Sequence, residues 1–121
     1  MTNTDSGAFF LGRQPIVDRD SQLIAYELLY RDIGGSASSM KSKHYATANV
    51  LTHTLSLTGL DNIIGKYLAF VNIDNRFLEH DMILSVPKER FVFELDASID
   101  FDEKILKRLE DLYLQGYSFA F

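Results

Sequence analysis

The chain has 121 residues, of which 46% are hydrophobic and 24% charged, with two prolines and a formal net charge of −5, a composition expected of one soluble globular unit. Its zero cysteines exclude disulfides, thiolate metal sites and a cysteine nucleophile, and agree with a reducing compartment. The acidic balance argues against a polymeric nucleic acid partner, which would want a basic face, but leaves room for a small anionic ligand held by a few placed arginines. No apolar run approaches the ~20 residues that span a bilayer, and MTNTDSGAFFL lacks a signal-peptide core, so a cytoplasmic location without membrane insertion is expected.

In chain order, residues 9–17 (FFLGRQPIV) and 22–31 (QLIAYELLYR) read as strands. Between them Asp18-Arg19-Asp20-Ser21 favours a turn, so antiparallel pairing is expected. Ile33–Lys43, with Gly34, Gly35 and four serines, reads as a solvated connection. Residues 44–58 repeat Ala48, Leu51, Leu55 and Val50, Thr54, Leu57 at helical spacing, with Gly59 suited to end the helix. A strand over 67–73 follows, then a short helix over Asn75–Leu84, punctuation at Pro87 and a strand over 90–95. Asp102–Gln115 is the clearest helix, with Ile105, Leu106, Leu109, Leu112 and Tyr113 as its apolar stripe and Gly116 as its cap. A last strand begins at Tyr117. This alternation predicts an α/β fold with right-handed crossovers and a parallel sheet.

Three polar side chains fall at or near the ends of successive apolar runs: Glu27 in IAYELLYR, Asn72 in YLAFVNID and Glu94 in RFVFELD. Each has an ordinary reading beside a functional one. Glu27 suits an outward strand position paired with Arg31 or Arg13, and Arg31 suits a surface ion pair with Asp32. Asn72, a poor strand former, suits a hydrogen bond to a neighbouring turn, Glu94 shares the ambiguity of Glu27, and Asp96 suits a turn after its strand. The alternative gathers Glu27, Asn72 and Glu94 at one rim of a parallel sheet, where metal and phosphate sites are built. His44, His53 and His80 have no metal-like spacing and read as structural. The nine phenylalanines are not interleaved with lysine and arginine, so they read as core rather than a base-stacking platform.

The segment RQPIVDRDSQLIAYELLYR resembles the opening of the EAL domain, the bacterial cyclic di-GMP phosphodiesterase fold, and FVNID, FELD and LYLQGYSFAF resemble its next three strands in order. The spelling YELLYR, with LTGLDNIIGKYLAFVNID, is most similar to EAL-like domains that precede an HDOD domain. The resemblance implies a partial (β/α)8 TIM-type barrel with an antiparallel first strand. Residues 9–121 would be its N-terminal half, cut before the paired-aspartate motif, behind a disordered leader over 1–8. It implies Glu27, Asn72 and Glu94 as ligands of Mg²⁺ or Mn²⁺, with Gln14 and Arg31 on a cyclic di-GMP phosphate and its neighbouring groups. Leu28 replaces the alanine of the motif, and Ala97 stands where active members commonly carry a glutamate that steadies a loop. The paired aspartates, the lysine and a later glutamate of the family would lie beyond Phe121. The expectation is therefore a signalling or interaction domain, inactive as this chain, prone to self-association or binding a partner protein, with an HDOD domain in the parent. The alternative is the N-terminal half of a metal-dependent phosphodiesterase that opens cyclic di-GMP to linear pGpG.

Overall fold

A computed structural model describes residues 9–32 and 57–121 of the chain. The expected leader over 1–8, the connection 33–43 and most of the expected helix 44–58, with His44 and His53, lie outside the described residues. The first turn forms as its residues predict. The Asp18 carboxylate accepts the backbone N–H of Asp20 and of Gln22 at 2.8 and 3.0 Å, while Ser21 takes the left-handed φ of 63°. This closes β1 (Phe9–Val17) antiparallel on β2 (Leu23–Asp32), in register from Phe9 opposite Asp32 to a bulge at Ile16 and Val17. Pro15, which has no N–H to donate, is tolerated because β1 is the sheet's edge.

The elements that follow are α1 (Leu57–Ile64), β3 (Leu68–Asn72), α2 (Asn75–Glu79), a 3-10 helix (Asp81–Ser85), β4 (Phe91–Glu94), α3 (Glu103–Leu114) and β5 (Ser118–Ala120). The sheet has the order β1-β2-β3-β4-β5, antiparallel in its first pair and parallel in the other three. The fold class is α/β, as the alternation predicts.

Three local expectations need correction. Gly59 does not end its helix: α1 runs through it to Ile64, and Gly65, at φ 62° with its N–H on Asp61 O, supplies the left-handed turn. The segment 75–84 is not one helix, because His80 is extended (φ −85°, ψ 141°) and its Nδ1 accepts the N–H of Met82, which starts the 3-10 helix afresh. In α3, Ile105, Leu109 and Leu112 are buried, but Leu106 and Tyr113 are 53% and 69% exposed. Those two sit one residue further round the helix than the buried row, beyond the edge of the sheet contact.

Alternation along the strands divides the sheet into two faces. One face, with Leu28, Ala69, Val71, Phe91 and Phe93, joins Leu60 and Ile64 of α1, Phe77 and Leu78 of α2, and Ile105, Leu109 and Leu112 of α3 in a single core. Phe93 is its centre, with ring centroids of Phe77, Phe91 and Phe119 at 5.8, 5.9 and 6.3 Å. The C-terminal ends of the helices, where carbonyls lack partners, are met by cations from elsewhere in the chain. Arg13 donates to Ile63 O, Arg90 to Gly65 O and Tyr67 O, Arg108 to Leu78 O and His80 O, and Lys88 to Gln115 O. None of the described helices is long and apolar enough to cross a membrane.

Candidate functional site

The other face of the sheet carries Ala25, Glu27 and Leu29 on β2, Phe70 and Asn72 on β3, Val92 and Glu94 on β4, and Ala120 on β5. Glu27 is paired with Phe70, Asn72 with Glu94 and Glu94 with Ala120 in the parallel ladder. Period-two alternation then puts Glu27, in the middle of β2, and Asn72 and Glu94, the last residues of β3 and β4, on one face. The parallel ladder continues past Asn72 and Glu94, with Ile73 N–H on Glu94 O at 3.1 Å and Leu95 N–H on Ala120 O at 2.8 Å, so the ends of β3, β4 and β5 are held together.

The side chains meet. Asn72 Nδ2 donates to Glu27 Oε2 at 3.4 Å and to Glu94 Oε1 at 3.3 Å, so one carboxamide bridges two half-buried carboxyl groups. Burial raises the Glu94 carboxyl from 4.5 to about 7, helped by a hydrogen bond with Glu27, by the negative charge of Glu27 and then by that of Asp96. A hydrogen bond between two carboxyl groups needs a proton between them, so Glu94 keeps its proton well above the usual carboxylate range. The expected inward gathering of Glu27, Asn72 and Glu94 is thus what the geometry has, and the outward reading of Glu27 is not. Arg13, offered as its partner, is directed to the helix face, with its guanidinium 4.5 Å from the Tyr26 ring and bonded to Ile63 O.

Gln14 is the register partner of Glu27 across the antiparallel pair, on the same face and exposed. The backbone of Arg31 pairs with Phe10, and its side chain lies outside the described residues. His80 caps the 3-10 helix, in keeping with a structural histidine. Asp96 accepts the N–H and the hydroxyl of Ser98, the turn role that its position suggests.

The set of two carboxyl oxygens and a carboxamide oxygen is hard and anionic, which suits Mg²⁺ or Mn²⁺ over softer ions. Among the described residues no group of three or more His, Cys, Asp and Glu is arranged to hold a metal; a site at these two carboxyls would need the Asn72 oxygen as its third donor. For its oxygen to serve, the Asn72 amide, which now points its NH₂ at both carboxyls, must turn over. A second contact at this rim was not legible in the sequence. Asn75 Oδ1 accepts the N–H of Asp100 at 3.0 Å and its Nδ2 donates to Asp100 O at 3.3 Å, which ties the start of α2 to the loop after β4. The polar pair Asp74-Asn75 after a strand signals a helix start, and Asp74 does cap α2, but nothing local points 25 residues ahead.

Comparison with known proteins finds distant relatives. The chain is 28% identical over 111 residues to the uncharacterized protein YuxH of Bacillus subtilis (strain 168), covering 92% of this chain and 27% of that protein. It is 24% identical over 112 residues to the cyclic di-GMP phosphodiesterase CdgJ of Vibrio cholerae serotype O1, covering 92% of this chain and 26% of that protein. The chain spans about a quarter of the length of these relatives. No family model matches it, and no solved structure does. The distant likeness to CdgJ supports a relationship with cyclic di-GMP signalling.

Proposed function

We propose that the chain is part of a bacterial cyclic di-GMP signalling domain of the EAL type, in which Glu27, Asn72 and Glu94 form a divalent-cation site and the chain itself regulates or binds rather than hydrolyses. The carrying observation is the Asn72 carboxamide bridging Glu27 and Glu94 at 3.4 and 3.3 Å, three side chains that the resemblance assigns to metal. The sheet supports a partial barrel. Its strands follow sequence order with no reversal, the main core cluster of the described residues lies on the helix face, and Ala25 and Val92 on the other face are buried as well, as in a sheet that curls that face inward.

Mg²⁺ or Mn²⁺, when bound, would polarise a phosphodiester and acidify a water. The chain's own groups prepare for the ion: Glu94 gives up the proton it shares with Glu27, and Asn72 turns its oxygen inward. Gln14, beside Glu27, and Arg31, further along the same strand, are the groups proposed to meet a phosphate. An HDOD domain in the parent protein, and self-association along the exposed Leu106, Tyr113, Leu114 and Phe121, belong to the same proposal.

Mn²⁺ titration of the wild-type chain and of a Glu27→Gln, Glu94→Gln double variant tests the site. Saturable binding by the wild type that the double variant loses is the expected result, and equal binding by both would refute the assignment. Linear pGpG formed from cyclic di-GMP above a no-protein control, in a metal-dependent manner, would overturn the non-hydrolytic reading in favour of the phosphodiesterase.

A further inference from the structure

The Asn75–Asp100 contact joins the segments that follow Asn72 and Glu94. A single side-chain amide engages both backbone polar groups of one residue, as a neighbouring strand would. One end of this contact is three residues beyond Asn72, and the other is six residues beyond Glu94. It therefore spans the two strand ends that contribute adjacent donors.

The bridged loop, residues 95–102, is tied elsewhere to the core and to β5. Leu95 and Ile99 are buried in the core, Ile99 N–H bonds Asp96 O, and the Phe101 ring lies 6.2 Å from that of Phe121 on the β5 side. Ala97 brings no polar side chain to the loop. Across the gap toward β3, Asn75 holds both backbone polar groups of Asp100. The loop also carries Asp96, whose charge acts on Glu94.

We infer that Asn75 is a positioning residue: it fixes the 95–102 loop against the start of α2, so that Glu94 and Asp96 keep their place beside Asn72 when a divalent cation binds. This rests on the cation reading of Glu27, Asn72 and Glu94. Asn75 touches no donor of that set, so it acts through the loop.

The experiment measures Mn²⁺ affinity and backbone amide exchange at Asp100 in the wild-type chain, in Asn75→Ala and in Arg108→Ala. Arg108→Ala removes donors to Leu78 O and His80 O at the other end of α2 and serves as the control for general loosening. Asn75→Ala is expected to speed exchange at Asp100 and to weaken Mn²⁺ binding about tenfold, the scale of losing a residue that orients metal ligands. Arg108→Ala is expected to lower stability with Mn²⁺ affinity unchanged. Asn75→Ser, too short to reach both groups of Asp100, replaces the alanine variant if that fails to fold. Faster exchange at Asp100 with wild-type Mn²⁺ affinity would overturn the inference and leave the cation site standing. Equal affinity losses in the Asn75 and Arg108 variants would overturn it as well. A wild-type chain that binds no Mn²⁺ would remove the cation site and the inference together, a failure visible before any variant is made.

Discussion

Replacing Glu94 by glutamine should change how stability depends on pH, because glutamine is a neutral isostere of the protonated acid. The Glu94 carboxyl lies at about 7 in the fold against 4.5 ordinarily, so the folded protein holds this proton more tightly than the unfolded chain does. Below pH 4.5 both states are protonated and ionisation costs nothing. Between 4.5 and 7 the unfolded chain releases its proton first, so stability falls as pH rises; above 7 both states are ionised and the fall ends. The full interval corresponds to about 3 kcal/mol at ~1.36 kcal/mol per pH unit. Glu94 is only half-buried and water screens it, so about 1.5 to 2 kcal/mol is the expected effect. Urea unfolding from pH 4.5 to 8 measures it. Wild type and Glu94→Gln should match near pH 4.5, and the variant should be the more stable by that amount at pH 8. Parallel profiles would show that Glu94 ionises as an ordinary surface carboxyl and that the shared proton does not exist. Glu27→Gln should bring the Glu94 carboxyl only part of the way down, since burial, not Glu27, is the largest cause.

Arg90→Ala should cost about 2 kcal/mol in the same assay, because Arg90 serves Gly65 O, Tyr67 O and the Asp61 carboxylate together. Asp61→Ala, which removes only the exposed partner, should cost less than about 1 kcal/mol. Gly116→Ala should lower stability by about 1 to 2 kcal/mol through backbone strain at φ 103°. Contact is not the cause there, because the added Cβ would meet Lys88 Cε at an ordinary 3.5 Å. Phe93→Ala should cost about 3 to 5 kcal/mol and sharply lower the melting temperature, since Phe93 is 1% exposed among three aromatic rings.

What the sequence made legible follows from how local each cause is. The hairpin was readable because Asp18 and Ser21 determine their own turn, and α3 because Asp102 and Gly116 bracket an amphipathic run. The meeting of Glu27, Asn72 and Glu94 depends on strand register, which is set by pairing across 45 and 22 residues, so the bare sequence left inward and outward positions open. That the helix ends at Gly65 and not at Gly59 depends on where the chain must reverse to enter β3, and spacing alone does not encode that. Leu106 and Tyr113 looked like core because an apolar stripe shows its width but not how much of it the sheet covers. Asn75 was missed because its partner is a backbone group, and backbone groups leave no mark in a sequence.

The cations at the helix ends bear on how the molecule comes apart. Arg90 reaches back from the entrance of β4 to the close of α1, Arg108 from α3 to the close of α2, and Lys88 from before β4 to the close of α3. Each strand-and-helix pair therefore has its last turn fastened by a residue outside it, and none can fray without loosening its neighbour. Such interlocking favours melting of 57–121 as one block, with no stepwise shedding of repeats.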